Sequence, residues 1–155
     1  MSIPFSFEQC PPLVVQGLAM TTNNERAFDE IPAQWQAVQD SGWLAGAGAS
    51  NSDVHAVYTG FAHEGVDNEG DYTFLIGRPV GTAHEPATSL GLTTVSVPAG
   101  RYAVFAVSRG RPDLVGEAWQ RIWALDSADL PRSFICDHER YRADGTIEIF
   151  VGVKP

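Results

Sequence analysis

Two carboxylates and a phenol stand at alternate positions of one run rich in β-branched and aromatic residues: Asp137, Glu139 and Tyr141 within SFICDHERY. Alternate side chains of an extended strand share a face. Ile135, Asp137, Glu139 and Tyr141 are therefore expected on one side, and Phe134, Cys136, His138 and Arg140 on the other. A carboxylate in mid-strand beside an aromatic ring faces either water or a site that wants negative charge. Withdrawn from water, it disfavours its own ionised form until a cation arrives. Aromatic walls then add apolar area and a cation–π attraction of roughly 0.5–2 kcal/mol per good contact. Glu139 is the candidate counter-charge and Tyr141 its neighbour. The candidate walls are Trp35, Tyr58, Tyr72, Phe74, Tyr102, Trp119 and Phe150. Each has an alternative place in the core, above all Trp35, Trp119 and Trp123, which lie on helical stripes. Asp137 is expected at the surface beyond the pocket rim. Glu148 is expected on a face opposite the apolar one, joining the site or facing water. The same pocket would also suit hydrolysis, with Glu139 as general base and a tyrosine as acid.

Other chemistries find less support. His55, His63, His84 and His138 show no paired metal-ligand spacing and read as solvated or locally bonded. Ser108 and Ser133 sit in no nucleophile elbow. Cys136, on the face away from Glu139, reads as a small core residue. A Gly-x-Gly at 46–48 is followed by neither a lysine nor a helix, so it is not a phosphate loop. No metal or organic cofactor is called for. Cys10 and Cys136 stand far apart, as in a reduced cytoplasmic protein or one with a single disulfide. The start, MSIPFSFEQC, lacks the layout of a signal peptide, and no apolar run reaches the ~20 residues of a membrane helix. With 10 Lys plus Arg against 19 Asp plus Glu, a net charge of −9, no direct nucleic-acid binding is expected; cationic partners are favoured.

A chain of 155 residues fits a single domain, 1–155. Its elements must place these residues. Residues 5–7 and 13–20 read as one strand broken at Pro11-Pro12. Phe28, Ile31, Trp35 and Val38 follow at helical spacing, and Pro32 suits the first turn of a helix over 31–40. Strands are expected at 54–61 and 72–76, and a linker at 80–91. Residues 92–97 and 102–107 read as strands parted at Pro98-Ala99-Gly100. A wide apolar stripe predicts a helix over 113–125, in which Gly116 would permit close helix–sheet packing. A hairpin over 134–153 turns at Ala143-Asp144-Gly145.

Written so, the chain repeats: broken strand, Trp-bearing helix, strand, strand, over 5–79 and again over 92–155. Ala33-Gln34-Trp35-Gln36-Ala37-Val38 aligns with Glu117-Ala118-Trp119-Gln120-Arg121-Ile122, and Tyr72-Thr73-Phe74-Leu75-Ile76-Gly77 with Ile147-Glu148-Ile149-Phe150-Val151-Gly152. Two such halves would form an α+β fold, a curved antiparallel sheet with both helices on one face. The opposite, concave face would be left as a ligand cleft between the repeats.

The run PAGRYAVFAVSRG, the Trp-bearing helix GEAWQRIW, the strand DHERY and the closing EIFVGV resemble the GyrI-like (AraC-type effector-binding) small-molecule-binding domains. The resemblance is strongest over 97–153 and rests on element order in the first half. It implies a duplicated strand-helix-strand-strand fold. That family includes ligand-binding domains of multidrug-sensing transcription activators, a gyrase-inhibitory protein, and hydrolases that open strained rings of DNA-alkylating natural products. In its drug-sensing members an acidic residue of the Glu-x-Tyr strand binds lipophilic cations in an aromatic pocket, a role that falls here on Glu139, with Tyr141 two residues on. The resemblance implies an aromatic or cationic small-molecule ligand, with gyrase or a separate DNA-binding subunit as an alternative protein partner. The sequence carries no helix-turn-helix segment.

Overall fold

The computed structural model describes residues 4–42, 53–80 and 92–155. The glycine loop at 46–52, most of the linker (81–91) and His84 lie outside the described residues. In chain order the elements are β1 (Ser6–Cys10), β2 (Leu13–Thr22), α1 (Ala27–Ser41), β3 (Val54–Thr59), β4 (Tyr72–Pro79), β5 (Thr93–Val97), β6 (Gly100–Val107), α2 (Val115–Trp123), β7 (Arg132–Tyr141) and β8 (Ile147–Val153).

Helix α1 begins earlier than Pro32 implied. Asn23 Oδ1 accepts the backbone N–H groups of Glu25 and Arg26, each at 3.1 Å, and this side-chain turn leads the chain into the helix at Ala27. Pro32 lies inside the helix, and its place there leaves the Phe28 carbonyl without its usual partner N–H. The helix stops at Gly42, where φ is 70° and the N–H closes on the Gln39 carbonyl. Helix α2 is shorter than expected because Pro112–Leu114 forms a separate 3-10 turn ahead of it.

The eight strands form one curved, unclosed antiparallel sheet in the order β1-β6-β8-β7-β3-β4-β2-β5. Each strand-strand pair of one half mirrors the other across the β3–β7 contact. Phe74 of β4 pairs with Tyr58, and Ile149 of β8 pairs with Glu139. Matching Phe74 with Ile149, as the sequence alignment does, therefore sets Tyr58 and Glu139 at corresponding positions. The edge strands are exchanged: β1 pairs with β6 of the second half, and β5 with β2 of the first. Both halves need a glycine where backbones crowd. A Cβ on Gly77 would lie 2.1 Å from the Gln16 carbonyl oxygen, and one on Gly152 would lie 2.6 Å from that of Cys136.

Both helices cover one face. Val115, Ala118, Trp119 and Ile122 of α2 pack on Ala103, Phe105, Ile149 and Val151, while Val38 of α1 packs on Ala56, Phe74 and Ile76. The other face is a core of its own, built from Val15, Val57, Leu75, Val97, Tyr102, Val104, Cys136 and Phe150. Cys10 and Cys136 are both free thiols.

Candidate functional site

The cavity opens on the helix-bearing face, between α1 and α2, and not on the opposite face as the sequence reading had it. The opposite face is occupied by its own apolar side chains, which fill it among the described residues. The cavity encloses about 750 Å³. Its floor is the seam of β3 and β7, where the two halves meet, and side chains of both helices form its walls.

Glu139 lies at this seam, 1% exposed. Three donors converge on it. The Tyr58 hydroxyl donates to Oε2 at 2.5 Å, the Trp119 indole N–H to Oε2 at 2.7 Å, and the Tyr141 hydroxyl to Oε1 at 2.5 Å. They come from β3, α2 and β7, so both halves and a helix must assemble before the carboxylate is solvated by protein. Burial pushes the Glu139 carboxyl above the ordinary glutamate range, and the hydrogen bonds from Tyr141, Tyr58 and Trp119 pull against it. The phenols respond in kind. Burial, followed by the adjoining Glu139 charge, raises Tyr58 and Tyr141 well above 10 and brings Tyr72 to about 12.

Of the nine residues singled out from sequence, six line the cavity: Trp35, Tyr58, Tyr72, Trp119, Glu139 and Tyr141. Their rings touch, with Trp35 and Tyr141 edge-on at 5.1 Å and Tyr58 and Trp119 at 5.3 Å. Phe74 is fully buried behind Tyr58, with centroids 5.0 Å apart. Tyr102 and Phe150 are corrections. Both lie in the core of the opposite face, where Tyr102 donates to the Pro98 carbonyl and Phe150 stacks on His138 at 4.5 Å. Strand parity explains this: Ile149 and Val151 take the helix side of β8, so Phe150 between them cannot.

Asp137 is a second correction. It is 1% exposed, within the cavity wall rather than beyond the rim. Strand β7 is irregular between Arg132 and Asp137, with Phe134 at φ 54°. This bulge turns Ile135 outward, 43% exposed, and folds Arg132 back over Asp137 at 2.7 Å. The Gly152 N–H donates to the other carboxylate oxygen at 2.9 Å. Glu148 does not join the site; it pairs with Arg140 and Arg142. His138 lies across the sheet from Glu139, as alternation required, but it and His55 are buried rather than solvated. Gly116 does not serve close packing. Nothing lies within 4 Å of a Cβ placed there, and the residue borders the cavity.

The sequence reading missed the mouth. Phe28 of α1 and Trp123 of α2 meet edge to face at 6.2 Å, though they are 54% and 38% exposed. Phe28 was visible as the first residue of the α1 stripe, but spacing alone does not show that the stripe overhangs a cavity.

The family model of the GyrI-like small-molecule-binding domain matches residues 3–154. No relative was found among curated proteins. An integron cassette protein from Vibrio cholerae superposes with a TM-score of 0.79 at 20% identity, over 97% of this chain and 95% of that one. SAV2435, solved bound to tetraphenylphosphonium, gives 0.75 at 15% identity, over 98% and 94%. The EcmrR C-terminal domain gives 0.52 at 13% identity, over 99% of each chain.

Proposed function

The chain belongs to the GyrI-like small-molecule-binding domain family, and on that premise we propose that its pocket takes a lipophilic or aromatic cation with Glu139 as the buried counter-charge. The observation that carries this reading is the three-donor cradle around Glu139. A carboxylate at 1% exposure holds its charge at a cost, and a cation entering an aromatic-walled cavity offsets that cost. The family supports a role as an effector- or drug-binding protein linked to transcription regulation or drug sequestration. The bound cation of SAV2435 makes tetraphenylphosphonium the first probe.

Hydrolysis in the same pocket is less well supported. A general acid works best with a pKa near the operating pH, and both phenols on Glu139 are pushed well above 10. They serve as donors that hold the carboxylate rather than as proton sources.

Calorimetric titration with tetraphenylphosphonium and with neutral triphenylphosphine oxide tests the proposal. Saturable binding of the cation, favoured over the neutral compound, is expected. At 100 times its dissociation constant the cation should stabilise the fold by about 2.7 kcal/mol. Equal affinity for both compounds would remove the counter-charge role. Recovery of a strained-ring natural product heavier by one water would favour the hydrolase.

A further inference from the structure

Arg132 stands in the cavity wall as a basic group among the carboxylates of Asp113, Asp137 and Glu139, and its hydrogen bonding is incomplete. Its side chain is 10% exposed. One terminal nitrogen is spent on Asp137 at 2.7 Å, while Nε is buried and has no hydrogen-bond partner among the described residues. A guanidinium has five N–H donors and no acceptor, and a buried donor left unpaired forfeits a hydrogen bond. Asp137 has no such deficit, with one oxygen on Arg132 and the other on the Gly152 N–H. The pair is thus a neutral unit in which each carboxylate oxygen has a donor while guanidinium donors are left over.

Its position adds a second observation. A further cavity of about 660 Å³ adjoins the first, and Asn24, Asn68, Trp123 and Arg132 border both. Arg132 therefore stands at the junction, two strand positions beyond Asp137's own side of Glu139. The neighbouring cavity carries Lys154 and Ser127 in its wall, in contrast to the three carboxylates of the first, Asp113, Asp137 and Glu139.

Resting on the cation-binding reading above, we propose that Arg132 forms a second subsite that selects aromatic cations bearing an oxygen acceptor, such as an ester or amide carbonyl. The cationic ring system lies at Glu139, and the acceptor-bearing arm runs past Trp123 to the guanidinium. A neutral acceptor is preferred to a carboxylate, because Asp137 already occupies one edge of the guanidinium and a second anion would meet its charge.

The test uses two xanthene cations that differ at one substituent: the methyl ester of rhodamine B, and tetraethylrosamine, which lacks the ester. The full chain should bind the ester about 10- to 150-fold more tightly, the size of one hydrogen bond to a charged donor. Replacing Arg132 alone would strand a buried carboxylate, so the pair is removed together in Arg132→Met/Asp137→Asn. Near-equal affinity for the two dyes in that variant, with both still bound, confirms the subsite. Equal affinity in the parent, or an ester preference that survives the double substitution, overturns it. Loss of both dyes and of tetraphenylphosphonium by the parent overturns the cation-binding reading, and this subsite with it.

Discussion

Tyr58 and Glu139 occupy corresponding positions on the two central strands, and their side chains meet: the phenol of one half donates to the carboxylate of the other at 2.5 Å. The proposed cation site is thus a place where an internal near-symmetry breaks. A symmetric pair of tyrosines would give an apolar cleft, and a symmetric pair of glutamates would repel. One of each gives a single charge with a donor aimed at it.

Glu139→Gln preserves shape and removes the charge. Tetraphenylphosphonium, which has no hydrogen-bond donor, should lose its charge–charge attraction, on the order of 3 kcal/mol at a separation of about 5 Å and an effective dielectric of about 20, and neutral triphenylphosphine oxide much less. Calorimetry on both ligands measures the difference. Equal losses would make Glu139 structural.

The same variant has a pH signature. The folded carboxyl lies above its ordinary value because of burial, so the native state favours the protonated form. The associated stability is present below the ordinary glutamate range and is lost as pH rises through the folded value. Glu139→Gln should therefore gain stability relative to the parent as pH rises. Urea melts of both proteins at acidic and mildly alkaline pH check the sign; a constant difference would contradict it.

Tyr58→Phe and Tyr141→Phe each withdraw one donor from Glu139 and should raise its pKa further. Cation affinity should fall, and the pH at which binding becomes half-maximal should move upward. Titrations over a pH series distinguish this from simple loss of packing, which would lower affinity without moving the midpoint.

His55 and His138 lie on the far face with rings 5.6 Å apart, and Nδ1 of each is buried without a partner. Burial lowers them to about 4 and about 3, with Arg140 adding to both and His55 to His138. Neutral imidazole is the native form, so the stability they contribute is present above about pH 6.5 and is lost as pH falls through these values. At about pH 5 each histidine costs roughly 2 kcal/mol relative to neutral pH. His138→Phe keeps a ring against Phe150 and should flatten the acid limb of the stability profile. An unchanged limb would show that His138 takes up its proton as readily in the fold as in the unfolded chain.

Two glycines should answer oppositely to alanine. Gly77→Ala drives a Cβ to 2.1 Å from a backbone carbonyl of the neighbouring strand and should cost about 3 kcal/mol or more. Gly116→Ala meets nothing within 4 Å and should stabilise α2 by about 1 kcal/mol. Thermal melts of the two variants decide it.

Strand parity and helical spacing were local matters, and the sequence determined them. The hairpin of β7 and β8, the two Trp-bearing helices, the opposition of Glu139 and His138, and the recurrence of strand-helix-strand-strand all follow from side-chain periodicity. Tertiary structure decided the rest, because it depends on which faces meet. The two helices stand on either side of the β3–β7 seam, so the cavity lies on their own face while apolar side chains fill the other. Tyr102 and Phe150 went to that other core because register, not aromatic character, assigns the face. Asp137 was buried by a bulge that folds Arg132 back over it, a contact between residues five apart that strict alternation would not bring together. Local order of residues gave Glu139 its neighbours along the strand; only the folding of two halves and a helix around it gave that carboxylate its three donors.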